Sequence, residues 1–102
     1  MENIYIYTTS EIIARFGTQY RSYRKMAGMT QREVAQKAGL STITLYKFEK
    51  GMAKDLSLST LIRLMRVIEQ LDNLNALFPP IPESPYTGQT RDFDIRATIN
   101  AQ

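Results

Sequence analysis

Apolar side chains from residue 3 to residue 78 arrive in short bursts separated by single glycines or polar turns, and the spacing inside each burst sets the element it predicts. Residues 3–7, "NIYIY", alternate in direction and are β-branched or aromatic, which predicts a short strand or extended arm. Ser10 with Glu11 predicts an N-cap, and Ile12, Ile13, Phe16, Tyr20, Tyr23 and Ala27 follow at helical spacing to a stop at Gly28. Thr30 predicts the cap of a second helix, with Glu33 completing a capping box. Val34, Ala35 and Ala38 form its inner stripe, and Gly39 ends it. Ser41 predicts the next cap; Leu45 and Phe48 face inward and Gly51 closes that helix. After the loop "MAKDLSL", Ser57 or Ser59 opens a fourth helix with Leu61, Ile62, Leu64, Met65 and Ile68 as its apolar face. "LDNLNALF" predicts a short fifth helix, which Pro79-Pro80 stops.

The pattern then changes. "PPIPESPYTGQT" holds all four prolines and predicts an extended tail. In "RDFDIRATI", residues 91–99, Phe93, Ile95, Ala97 and Ile99 alternate with polar side chains, a strand pattern that needs a pairing partner. The expected fold class is all-α, a five-helix body at 10–78 between an arm at 1–9 and a Pro-rich tail at 79–102.

Composition narrows the chemistry. At 102 residues the chain can bury one modest core. It has no cysteine and no histidine, so disulfides, thiolate zinc sites and Ser–His or Cys–His nucleophile pairs are absent together. The acidic residues are scattered, and Asp92 and Asp94 read as solvent-facing alternates of a strand, so no metal, cofactor or enzymatic role is expected. No apolar run nears the roughly 20 residues that cross a bilayer, and the N-terminus lacks a signal-peptide pattern, so a cytoplasmic protein without membrane contact is expected. The net charge of +3 is divided unevenly. Residues 15–54 carry nine basic and two acidic side chains, or +7, and the rest carries four basic and eight acidic, or −4. A polyanion partner for the basic segment is one consequence, a merely solvated face the other.

The break at Gly39 favours the polyanion. A helix that enters the major groove, about 12 Å wide, must be held out from the body by a second helix crossing its back. That crossing needs a tight turn with a positive-φ glycine and a small residue at the contact, which Gly39 and Ala35 supply. Thr30-Gln31, Glu33, Val34-Ala35, Ala38-Gly39-Leu40-Ser41, Leu45, Glu49 and Gly51 resemble the phage repressor and Cro-like (XRE) helix-turn-helix family, over about residues 10–78. The alternatives are an ordinary αα-hairpin with no DNA role and a protein-interaction module with vestigial DNA binding.

With Leu45 and Phe48 inward, 100° per residue turns Ile43, Tyr46, Lys47 and Lys50 outward and puts Thr42 and Thr44 on the flanks. Ile43 suits a thymine methyl, Lys47 suits guanine O6 and N7, and Thr42 and Tyr46 complete a base-reading face. The bland reading of Ile43 is a scattered surface apolar residue.

The resemblance implies that Thr30 and Gln31 offer amide donors to a phosphate, joined by Arg32, Thr44, Lys50 and Arg21. It also implies that Arg24 and Glu49 form a structural ion pair, and that the protein binds double-stranded operator DNA as a homodimer. Leu71, Leu74, Leu77 and Phe78 are the expected dimer surface. Residues 6–31, "IYTTSEIIARFGTQYRSYRKMAGMTQ", look like the opening of HipB-type antitoxins, which repress their own operon and bind a kinase-like toxin, so a toxin partner is a further expectation. A plain operon repressor without a toxin is its alternative.

Overall fold

The computed structural model describes residues 3–82, and every regular element among them is helical. A 3₁₀ turn (Ile4–Ile6) leads into α1 (Thr9–Met26), α2 (Gln31–Ala38), α3 (Thr42–Glu49) and α4 (Leu58–Val67), and a second 3₁₀ segment (Leu71–Ala76) follows. The strand pattern at 91–99 lies outside the described residues.

Each α-helix starts on a hydroxyl. Thr8, Thr30, Ser41 and Ser57 accept the backbone N–H of Glu11, Glu33, Thr44 and Thr60, and so satisfy one orphan donor per helix. Glu11 and Glu33 return the bond to their cap backbones, closing two capping boxes. Those amide donors, from Thr8 and Thr30, hold both carboxyls below their ordinary range.

The core is Tyr20, Val34, Ala35, Ala38, Leu45, Phe48, Leu64 and Ile68. α3 packs across α1, and α2 packs on both α3 and α4. The Tyr20 hydroxyl donates to the Leu64 carbonyl at 2.8 Å and fastens α1 to α4. Burial, aided by Glu49, keeps that phenol's pKa far above its usual value, so it remains a neutral donor.

Two expectations are corrected, and two are refined. "NIYIY" is a 3₁₀ turn, not a strand or extended arm: the Asn3 side chain accepts from the Tyr5 amide and curls the chain, and no strand stands among the described residues to pair with it. The cap of α1 is Thr8, two residues before Ser10, because only Thr8 has Glu11 three positions on. Of the residues at helical spacing in α1, Phe16 and Tyr23 stand partly exposed on the opposite side of Tyr20 from α3. The short fifth helix expected from "LDNLNALF" forms over Leu71–Ala76 and winds as 3₁₀: Gln70 offers no side-chain cap, and the Asn73 side chain bonds back to Gln70.

Gly17 went unread in the sequence, yet it sets the α1–α3 distance. A Cβ there would lie 1.8 Å from the Phe48 carbonyl oxygen, so only glycine lets the two backbones touch.

Candidate nucleic-acid interface

The turn between α2 and α3 is built as a chain of backbone constraints. Gly39 sits at φ 74° and ψ 33°, in the left-handed region. Its N–H donates to the Gln36 carbonyl at 3.3 Å, and the Leu40 N–H donates to the Ala35 carbonyl at 2.8 Å. Ala35 and Ala38 are buried where the helices cross. Leu40 packs against the core just past the turn, and Ser41 restarts the helix at once.

α3 is thereby pinned on one side and open on the other. Leu45, Phe48 and Glu49 are buried, whereas Thr42, Ile43, Thr44, Tyr46, Lys47 and Lys50 are exposed. Ile43 is 63% exposed and Tyr46 42%. The Lys50 ammonium lies 5.9 Å from the Tyr46 ring centroid, within cation–π range. The Thr44 hydroxyl shares a 2.7 Å hydrogen bond with Ser41 Oγ at the head of the helix.

Behind this face is a buried ion pair. Arg24 donates through Nε to Glu49 Oε2 at 2.7 Å and through Nη2 to Oε1 at 2.9 Å, a bidentate fork. Its Nη1 donates to the Met29 carbonyl at 2.8 Å, tying in the turn before α2. Gln31 Nε2 donates to Glu49 Oε1 at 3.0 Å. The Gln31 side chain, expected beside a phosphate, thus commits one amide hydrogen to Glu49. The backbone N–H groups of Gln31 and Arg32, in the first turn of α2, have no intrahelical acceptor and keep the outward role open.

Around the α2 N-terminus lies a depression of about 590 Å³, lined by Arg21, Lys25, Thr30, Gln31, Tyr46 and Lys50 among others. Arg32 is exposed on α2. Cations and helix-terminal amides facing one hollow are an arrangement for an anionic oxygen.

A second concavity, about 400 Å³, opens between α1, α4 and the second 3₁₀ segment. Phe16, Tyr23, Leu61, Met65, Leu74 and Leu77 line it. Leu71 is half-buried, and Phe78 stands 89% exposed directly after the groove residue Leu77.

The Gln31–Glu49 bond and a bond from Arg63 to the Ala38 carbonyl had no anticipation in the sequence. Both join residues far apart in the chain, and no local spacing signals them. Among the described residues no group of three or more acidic, His or Cys side chains could hold a metal ion, and no helix is long and apolar enough to cross a membrane.

Residues 21–70, from the second half of α1 to the end of α4 and just beyond, match the helix-turn-helix family model. The chain belongs to the XRE-type helix-turn-helix family, and as such it is a DNA-binding regulator of transcription. No curated protein and no solved structure matches it.

Proposed function

We propose that this protein binds a palindromic operator as a homodimer, laying the outer face of α3 in the major groove, and that it represses the transcription it controls. The carrying observation is Ile43, 63% exposed in the first turn of a helix otherwise fixed by core packing and the Arg24–Glu49 pair. Such rigidity serves recognition, since a reading face must keep its register against the base edges. Ile43 meets a thymine methyl, Lys47 donates to guanine O6 and N7, and Thr42 and Tyr46 bond base edges nearby. Thr30, Gln31, Arg32, Thr44, Lys50 and Arg21 hold the phosphates on either side.

The test begins by selecting a binding site from random duplexes and then replacing each thymine by uracil, which lacks the methyl group. Wild type is expected to lose about fourfold at one position of each half-site, the worth of about one buried methyl-sized group. Ile43→Ala should bind the thymine and uracil forms equally. An Ile43→Ala protein that still prefers thymine would end the methyl contact.

Two copies are needed because one recognition helix covers only a few base pairs. Leu71, Leu74, Leu77 and Phe78 supply the self-contact, beside the groove that lies open in the single chain. In sedimentation, the double variant Leu77→Asp, Phe78→Asp should run as a folded monomer with weakened operator binding. A wild-type protein that is monomeric both alone and on its operator would contradict the assignment.

The antitoxin role rests on the resemblance of residues 6–31 alone. It adds a kinase-like protein partner, and cutting residues 80–102 should then abolish that partner's binding while DNA binding survives. Equal toxin binding without the tail would remove the tail from that role.

A further inference from the structure

We infer that Arg63, on α4, is a positioning residue for sequence discrimination: it fixes the peptide plane about which the recognition helix is set. The inference builds on the DNA-reading role of α3 and names a residue outside its contact face.

The left-handed turn at Gly39 uses the carbonyls of Ala35 and Gln36 as acceptors. The Ala38 carbonyl, the last of α2, belongs to the peptide that links α2 to Gly39, and a helix end leaves such a group without an intrahelical donor. Arg63 Nη1 donates to it at 2.9 Å across 25 residues of sequence. The guanidinium also suits the negative end of the α2 dipole.

Arg63 is itself held. Its Nη2 donates to Thr60 Oγ1 at 3.2 Å, and Thr60 Oγ1 accepts from the Ser57 cap hydroxyl at 2.8 Å. The fork is therefore oriented from the head of α4, and its other nitrogen reaches the turn. Contact is close: a Cβ on Gly39 would lie 3.2 Å from Arg63 Nη1. Rotation of the 38–39 peptide would swing α3 relative to α2, and the brace opposes that rotation. Packing of Ala38, Leu45 and Leu64 holds the helices together without it, so losing the brace loosens the angle and leaves the fold.

The test compares Arg63→Met and Arg63→Lys with wild type in the full chain. Amide exchange of Gly39 and Leu40 should quicken about tenfold in Arg63→Met, the worth of one charge-assisted hydrogen bond, and return toward wild type in Arg63→Lys. On a duplex selected by wild type, Arg63→Met should lose about tenfold in the ratio of selected-site to random-DNA affinity. The slope of log affinity against log salt should stay unchanged. A slope reduced by about one would make Arg63 a phosphate contact instead. Unchanged exchange at Gly39 and Leu40 overturns the brace whatever DNA binding does. Quickened exchange in a protein that selects no duplex would support the brace and count against the DNA reading alone. If Arg63→Met fails to fold, the packing argument falls with the proposal.

Discussion

Glu49→Ala is expected to destabilise the domain by about 3–5 kcal/mol, the cost of removing one partner from a buried ion pair. The Glu49 side chain has no exposure and Arg24 only 9%, so the guanidinium left behind would have neither a counter-ion nor ready access to water. Two further bonds fail with it, since Gln31 loses its acceptor and the Met29 carbonyl depends on an Arg24 that no longer has an anchor. Small domains are stable by about 5–15 kcal/mol in all, so the loss is a large fraction of the total. Urea unfolding measures it, with the double variant Arg24→Met, Glu49→Met as the comparison. That pair removes both charges, keeps most of the volume and should recover most of the loss. A Glu49→Ala protein less than about 1 kcal/mol below wild type would show that water reaches Arg24.

Gly17→Ala should do comparable damage for a steric reason. In an isolated helix alanine is better than glycine by about 1 kcal/mol, so propensity alone favours the variant. Here the new methyl would lie 1.8 Å from the Phe48 carbonyl oxygen, 2.7 Å from its carbon and 3.3 Å from the Glu49 Cα. Those atoms are α3 backbone, so no rotamer change relieves the clash and the helices must separate. Overpacking of a close-packed core costs typically 1–3 kcal/mol, and a backbone obstacle puts this site at about 3 or above. Separation also stretches the Arg24–Glu49 fork, which spans the same two helices. The fall in thermal midpoint should match that of Glu49→Ala to within a few degrees. A midpoint raised by the substitution would mean that α1 and α3 do not touch at Gly17.

What the sequence made readable follows from which forces are local. Caps and stops depend on residues three or four apart, so Thr30 with Glu33, Ser41, Gly28, Gly39 and Gly51 could be placed from spacing alone. The inward stripes of α2 and α3 were equally plain, because Val34, Ala35, Ala38, Leu45 and Phe48 have no polar competitor at their positions. α1 was harder. Tyr20 lies between two faces of the helix, and the larger apolar side chains, Phe16 and Tyr23, belong to the groove, while the contact with α3 runs through Gly17, Tyr20 and Arg24. An apolar count chooses Phe16 over Gly17 and so chooses the wrong side. A mid-helix glycine was itself the signal, since it costs helix stability and marks a close approach.

The N-terminal segment misled for a different reason. "NIYIY" has β-propensity, but propensity without a partner strand decides little, and a single Asn3 side-chain bond sufficed to curl it. The outer face of α3 was legible as a direction, because 100° per residue fixes it once Leu45 and Phe48 are known to be inside. The braces behind that face, Gln31 on Glu49 and Arg63 on Ala38, were not, since each joins segments that only the folded chain brings together.

Recognition by an exposed helix face is tested most directly by Lys47→Ala on a panel of duplexes that carry every base at each position of the selected site. The expected result is a loss of about 1–3 kcal/mol confined to duplexes with guanine at one position of each half-site, with affinity for the other bases there nearly unchanged. Equal weakening on every duplex, with the salt slope reduced by about one, would make Lys47 a phosphate contact and contradict base reading by α3.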